Sequence, residues 1–197
     1  MNYSGVKTIF KDYNLQQMNE IQVSKQADVI LTMLLFPNSF TLKEKEATWE
    51  YYFPKTLHDS SLSLTSYCNF ALLLGKDDIA YYLFKKSFET DLGPKNMHSS
   101  DDGIHAASMG GVWQNVVYGF GGFSIKNDVI SIKPRIPENW DELLYTVVYK
   151  QTRLTVKVSK KEISIQVLEG ELETILVNDQ EYSVMGRKLT IQLLEEK

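Results

Sequence analysis

The sequence contains little cysteine and little histidine, with one Cys, three His and five Pro in 197 residues. A single cysteine cannot form a disulfide within the chain. Cys68 lies in an apolar helical run, so we expect a buried structural thiol and a reducing, cytoplasmic setting. Residues 30–36 are apolar but far too few to cross a bilayer, and residues 1–13 contain no apolar segment of a secretion signal. The sequence therefore predicts no membrane partner.

Other functional signals are missing as well. The formal net charge of −4 argues against a nucleic-acid partner, which would favour a basic surface. No His/Cys cluster has the spacing of a metal site, and the sequence has neither a P-loop nor a dinucleotide-binding glycine fingerprint. With 43% hydrophobic and 23% charged residues the composition is that of an ordinary globular protein. We therefore expect a folded chain that needs no metal and no organic cofactor.

The spacing of apolar residues changes near residue 120. Before it the spacing is helical, and Thr41 with Glu44 three residues later matches a capping box. After it apolar residues alternate with polar ones, which is typical of half-buried strands. Helices are predicted over residues 29–36, from 42 onward, and over 61–74, 77–90 and 104–118. Strands are predicted over residues 130–133, 143–149, 154–158, 163–167, 174–177 and 189–193. The pattern indicates an α+β chain, a helical array followed by an antiparallel sheet or small sandwich.

The most informative polar cluster is residues 103–113, which combines His105 and Ser108 with the adjacent Gly110 and Gly111. Adjacent glycines let backbone N–H groups approach a ligand closely, and the start of a helix favours negative charge. A lone histidine near a helix start can also be purely structural. The whole combination favours the binding of an anion or of sugar hydroxyls.

Two further clusters lie upstream. Residues 57–63 contain a His-Asp-Ser-Ser run ahead of a predicted helix, where Asp59 or Ser60 could cap that helix while a neighbour faces a ligand. Lys25 and Gln26 offer a cation and an amide, although both residue types are common on helix surfaces. A hydrolase triad of Ser60, His105 and Asp59 can be written, but no serine lies in a nucleophile elbow. Three clusters within about a hundred residues indicate one site built from several loops.

These clusters, in this order, resemble glycoside hydrolase family 65, whose members include maltose, kojibiose, nigerose and trehalose phosphorylases. The matching stretches are residues 25–29, 51–63, 102–114, 119–122 and 134–140. The resemblance covers nearly the whole chain. It implies that residues 1–122 are the last helices of an (α/α)6-barrel catalytic domain, that 123–140 are a junction, and that 141–197 are a C-terminal β-sandwich domain.

The resemblance also implies a reaction, an inverting phosphorolysis of an α-linked glucosyl disaccharide of the maltose type to β-glucose 1-phosphate and glucose. In the family a glutamic acid protonates the glycosidic oxygen while inorganic phosphate, the co-substrate, attacks the anomeric carbon. Lys25 and Gln26 would bind the glucosyl unit. By the same resemblance the phosphate would be bound by Ser60, Ser61, His105, Ser108, Gly110 and Gly111.

The sequence departs from the family in one serious respect. The family's general acid lies upstream of the Lys-Gln motif, and this chain starts only about two dozen residues before Lys25. We therefore assign no catalytic acid here and expect a C-terminal portion that lacks the N-terminal half and is inactive alone. A related hydrolase that uses water and a non-catalytic carbohydrate-binding remnant remain alternatives. The family is commonly dimeric, which implies a homodimer, although no residue here establishes it.

Overall fold

The computed structural model describes residues 13–58, 60–92 and 103–193. The chain divides into two compact units, Met1–Gln114 and Asn115–Lys197. The first unit is helical among its described residues and the second is mainly β-structure. The change of apolar period near residue 120 therefore does mark a change of structural class.

The helices of the first unit follow the predicted order. In the part of the chain that the structure describes they are α1 (Leu15–Met18), α2 (Asp28–Leu35), α3 (Leu42–Tyr52), α4 (Ser63–Leu73), α5 (Asp77–Leu92) and α6 (Ala106–Gln114). The capping box is confirmed, because Thr41 Oγ1 accepts from the Glu44 N–H and the Glu44 carboxylate accepts from the Thr41 N–H at 2.7 Å. These hydrogen bonds hold the pKa of the Glu44 carboxyl below its ordinary value. None of the described helices is long and apolar enough to cross a bilayer.

Helix α4 is the centre of the first unit. Its residues Tyr67, Cys68 and Phe70 are fully buried, as predicted for the thiol, and burial raises the pKa of Cys68. Trp49 of α3 stacks on Phe53 with ring centroids 4.1 Å apart and meets the edge of Tyr67 at 5.8 Å. This aromatic cluster fixes the start of α4, which is where the His-Asp-Ser-Ser run enters the structure.

The second unit begins with a π-helical segment, Asn115–Phe120, for which the Gly121 N–H donates to the Val116 carbonyl at 2.8 Å. The single α-helix predicted over 104–118 is therefore wrong in its last turn, since residues 106–114 are α-helical and residues 115–120 are not. The phenol of Tyr145 donates to the Gly121 carbonyl at 3.0 Å, and burial raises the pKa of that phenol. Apolar periodicity cannot reveal this segment because six residues are too few to show a change in the number of residues per turn.

Eight strands form two four-stranded sheets in the described part of the second unit. They are β1 (Phe123–Lys126), β2 (Val129–Ile132), β3 (Glu142–Tyr149), β4 (Thr152–Ser159), β5 (Glu162–Glu169), β6 (Thr174–Val177), β7 (Gln180–Ser183) and β8 (Lys188–Gln192). The sheet orders are β1-β2-β6-β7 and β3-β4-β5-β8. All pairings are antiparallel except β2 with β6, which is parallel.

The alternation read in the sequence sets the two faces of these sheets. In β5, Ile163, Ile165 and Val167 are buried while the residues between them are more exposed, as predicted. The polar side chains of the strands form a solvated face, which was also predicted. Strands β1 and β7 were not predicted, and β1 and β2 lie in residues 123–140, which the family resemblance implies to be a junction. Both missed strands are short and mostly exposed, so they lack the apolar signal.

We expect Gly122→Ala to destabilise the protein much more than Gly186→Ala. Both glycines have a left-handed φ, +66° and +64°, so each substitution incurs the same backbone strain of about 1 kcal/mol. A Cβ on Gly122 would lie 2.0 Å from the Lys133 carbonyl oxygen, whereas a Cβ on Gly186 meets nothing within 4 Å. Overpacking should add about 1–3 kcal/mol at Gly122 alone. Urea unfolding of both variants measures the difference, and equal losses would show that the close approach does not matter.

Candidate functional site

The loop that carries Lys25 and Gln26 is tied to the segment leading into the serine pair. The Ser24 N–H donates to the Lys55 carbonyl and the Leu57 N–H donates to the Ser24 carbonyl, both at 2.9 Å. Lys25 and Gln26 are exposed, and Gln26 lines a small cleft with Tyr52 and Tyr67. The first two predicted clusters therefore lie beside each other, with their polar side chains accessible.

The third cluster meets the second through a partly buried hydrogen bond. The Ser108 hydroxyl, which is fully buried, donates to the Ser61 carbonyl at 2.8 Å across 47 residues of sequence. The proton of Ser108 is thus used within the protein. Ser60 and Ser61 are only half-buried, and the Ser60 hydroxyl accepts from the Leu62 N–H at 3.4 Å, which leaves its proton available.

His105 is held by a carboxylate that sequence reasoning did not identify. Asp91, near the end of α5, accepts from the His105 ring at Nδ1 (2.7 Å) and from the His105 backbone N–H (2.8 Å). The Asp91 side chain is 8% exposed and that of His105 is 33% exposed. The ring hydrogen bond holds the pKa of the Asp91 carboxyl below its ordinary value. Both carboxylate oxygens are engaged, so Asp91 orients His105 and leaves Nε2 for a ligand.

Nothing in the sequence around Asp91 points to this role. It lies 14 residues before His105, at the end of an ordinary amphipathic helix. The helix dipole disfavours an acidic side chain near a helix C-terminus, so a carboxylate at this position indicates only that some other contact stabilises it.

The two glycines of the cluster were expected to present backbone N–H groups to a ligand, and the structure places them differently. Gly110 and Gly111 are the fifth and sixth residues of α6, where backbone N–H groups are used by the helix itself. A Cβ on Gly111 would lie 2.5 Å from Thr65 Oγ1 of α4, whereas a Cβ on Gly110 meets nothing within 4 Å. Gly111 allows α6 to approach α4, and Gly110 leaves open space. In the first turn the Ala106 N–H donates to the Ile104 carbonyl and the Met109 N–H to the His105 carbonyl, so the N–H groups of Ala107 and Ser108 are the ones available next to His105.

His58 is the second histidine of the site, and its burial was not predicted. Its ring meets the edges of Tyr67 and Phe53 with centroids 4.9 and 5.9 Å away. Burial lowers the pKa of His58 to about 4, so the imidazole is neutral near pH 7. Asp59, offered above as a helix cap and triad member, lies outside the described residues. Ser60 does not cap α4, whose N-cap position, Leu62, has no side-chain cap bond.

The second and third clusters are joined at the start of α6. The Ser61 carbonyl accepts from Ser108, which follows His105 by three residues, so the serine pair lies beside the helix whose start carries His105. The described residues contain no group of three side chains suited to hold a metal ion. Hydroxyls, an oriented imidazole and a helix start are what an oxyanion or sugar hydroxyls require.

Comparison with known proteins identifies the family to which the chain is similar. Residues 2–114 match the family described as glycosyl hydrolase family 65 central catalytic domain, and residues 123–184 match the family's C-terminal domain. The chain is 39% identical over 191 residues to a kojibiose phosphorylase of Halothermothrix orenii, and 30% identical over 181 residues to a maltose phosphorylase of Bacillus subtilis. A solved structure titled putative kojibiose phosphorylase from human microbiome aligns with a TM-score of 0.84 at 32% identity.

The matches cover nearly all of this chain but only part of each relative. They span 96% and 92% of this chain for the two curated relatives, and 24% of the length of each of those relatives. The solved structure covers 98% of this chain, which corresponds to 29% of its own length. The chain therefore spans about a quarter of the length of the proteins it resembles.

We expect Gly111→Ala to destabilise the first unit and Gly110→Ala to leave it unchanged or slightly more stable. The added methyl of Gly111→Ala overlaps Thr65, which costs about 1–3 kcal/mol. At Gly110 the methyl enters open space and alanine favours the helix by about 0.5–1 kcal/mol. Thermal unfolding of the two variants makes a matched comparison. Equal midpoints would mean that the approach of α6 to α4 does not depend on Gly111.

We expect the free energy of unfolding to fall as the pH decreases from about 6.5 to about 4, because of His58. Its folded pKa of about 4 lies below the ordinary value of 6.5, so in this window the unfolded chain binds a proton that the folded chain excludes. The contribution is fully present above pH 6.5 and should decrease by on the order of 1–2 kcal/mol by pH 5. His58→Asn should lose this part of the pH dependence. Identical pH profiles of urea unfolding for the variant and the parent would contradict the assignment.

Proposed function

Because the chain belongs to glycoside hydrolase family 65, we propose that it carries the phosphate and glucose contacts of an inverting α-glucoside phosphorylase. The reaction would cleave an α-linked glucosyl disaccharide with inorganic phosphate to give β-glucose 1-phosphate and a released sugar. Two relatives are named for kojibiose and maltose, which supports a glucose disaccharide as the substrate. We keep the maltose type as the first candidate.

The observation that carries the proposal is the way Asp91 is used. An inverting hydrolase needs a second free carboxylate to deprotonate water, whereas phosphate is already an anionic nucleophile and needs only donors and positive potential. Among the residues that the structure describes, the carboxylate in contact with His105 is that of Asp91, and both of its oxygens are engaged by His105. A held imidazole beside two hydroxyls suits phosphate better than it suits the activation of water.

Each residue then has a definite task. The Nε2–H of a protonated His105 ring and the hydroxyls of Ser60 and Ser61 would donate to phosphate oxygens, and Ser108 would hold the Ser61 backbone in place. The first-turn N–H groups of α6 would add positive potential. Gly110 would keep the approach open, and Gly111 would set the distance between the helices.

Lys25 and Gln26 would bind the glucosyl unit. Both are exposed, and the loop that carries them is hydrogen-bonded to the segment preceding the serine pair. A sugar held there and a phosphate held at His105 would place the anomeric carbon near an oriented nucleophile, which supplies proximity without any covalent intermediate.

The general acid is not assigned to this chain. In the family it precedes the Lys-Gln motif, and the helices described here would form the last part of an (α/α)6 barrel. These 197 residues alone should therefore bind phosphate without turning over a disaccharide. We propose a homodimer as the assembled form, as is common in the family.

We expect inorganic phosphate to bind the 197-residue chain at His105. In an NMR titration phosphate should shift the Ser60, Ser61 and His105 amides, and chloride at equal ionic strength should not. His105→Ala should weaken phosphate binding by at least roughly tenfold, because a hydrogen bond to a charged group is lost. Shifts that chloride reproduces, or an unchanged affinity in His105→Ala, would refute the phosphate assignment.

Turnover is tested in a chimera in which this chain replaces the matching quarter of the Halothermothrix orenii enzyme. With maltose, kojibiose and trehalose as substrates, product release should require phosphate, and Lys25→Ala should raise the KM for the disaccharide. Lys43→Ala, an exposed lysine on α3, is the matched control and should leave that KM unchanged. Glucose release that does not depend on phosphate would indicate a hydrolase instead.

A further inference from the structure

The residue that leads into the serine pair has an unusual backbone. His58 has a φ of 53°, in the left-handed region that residues other than glycine adopt rarely and at an energetic cost. Such a conformation persists only where contacts with neighbouring residues hold the backbone in place. Here the surroundings are the rings of Phe53 and Tyr67, against which the imidazole packs edge-on.

The polar contacts of the imidazole form a chain that ends at the serine pair. His58 Nδ1 lies 3.2 Å from Ser63 Oγ, and the Ser63 hydroxyl donates to the Ser60 carbonyl at 3.1 Å. Ser63 is fully buried. A hydroxyl has one proton, and here it is donated to Ser60, so Ser63 Oγ must accept from His58. This assigns the proton of the neutral ring to Nδ1.

With the proton on Nδ1, the other ring nitrogen, Nε2, makes no hydrogen bond within the described part of the chain that would stabilise the fold. His58 Nε2 is buried and has no hydrogen-bond partner among the residues that the structure describes. A buried acceptor without a donor destabilises the fold. A phenyl ring would pack between Phe53 and Tyr67 without that penalty. What the imidazole adds is the Nδ1 donor to Ser63.

The carbonyl groups of both serines are therefore held from inside the protein. Ser60 is held by Ser63, through its hydroxyl and through its backbone N–H at 3.2 Å, and Ser61 is held by Ser108. Both carbonyls are thereby engaged within the protein, and neither bond uses the hydroxyl proton of Ser60 or Ser61. The hydrogen bond from the Ser63 hydroxyl to the Ser60 carbonyl depends on a partner that keeps this hydroxyl correctly oriented.

We propose that His58 is a positioning residue that, through Ser63, orients the Ser60–Ser61 pair for binding a phosphate oxyanion. The inference rests on the proposed phosphate site and adds to it a residue that need not touch phosphate itself. His58 acts by donating to Ser63, so that the single Ser63 proton is directed to the Ser60 carbonyl.

The test compares four variants of the 197-residue chain by NMR titration with inorganic phosphate. His58→Phe keeps an aromatic ring but removes the donor, and Ser63→Ala removes the relay. Both should raise the phosphate Kd roughly three- to tenfold, the effect of one misplaced hydrogen bond. His58→Asn, which tolerates the left-handed backbone and retains an amide donor, should stay closer to the parent.

Ser66→Ala is the matched control. Ser66 is on the same helix, and its hydroxyl also donates to a backbone carbonyl, that of Leu62, but it is not part of the chain to Ser60. This variant should leave the phosphate Kd unchanged. Equal weakening by Ser66→Ala and Ser63→Ala, or no weakening by Ser63→Ala, would overturn the proposal. If His58→Phe does not fold, Ser63→Ala alone decides.

Two further readouts separate this inference from the proposed function. The ring ¹⁵N shifts of His58 should show a proton on Nδ1 and none on Nε2, and the opposite tautomer would overturn the relay. If the parent chain binds no phosphate, the proposed function fails. The positioning role is then judged by the Ser60 and Ser61 amide shifts, which Ser63→Ala must move further than Ser66→Ala does.

Discussion

The hydrogen bond from the buried Ser108 hydroxyl to the Ser61 carbonyl is the contact on which the site depends. It joins two motifs 47 residues apart, and without it the fully buried Ser108 hydroxyl would lose its hydrogen-bond acceptor. The bond can form only because α6 lies close to α4, and that approach requires the absence of a side chain at Gly111. One hydroxyl and the absence of one methyl group thus hold the serine pair beside the helix that begins next to His105.

Much of the fold could be predicted from the sequence because its signals are local. The capping box at Thr41 and the alternation in β5 each depend on a few neighbouring residues, and both are confirmed. The π-helical turn, the parallel pairing of β2 with β6 and the exposed strands β1 and β7 depend on tertiary contacts. Those features leave no periodic trace in the chain, so pattern reasoning could not find them.

The candidate site, like the fold, could be predicted from the sequence only in part. Its motifs can be recognised from residue types, but their tasks can be separated only by geometry. Ser108 is an internal tie and Asp91 is a support for His105, although both carry groups that could have faced a ligand. Gly111 provides helix packing where the sequence suggested N–H donors. The residues that touch a ligand and the residues that hold them are chemically alike, and only their surroundings distinguish them.

The single parallel pairing, between β2 and β6, has a consequence for the order in which the second unit folds. The meander β3-β4-β5 joins strands that are neighbours in sequence, so it can form from short-range contacts. The pairing of Ser131 with Leu176 must instead close a loop that contains the whole meander. The hairpins β1-β2 and β6-β7 thus wait for the meander to bring them together, and the sheet they share is the slower of the two to assemble.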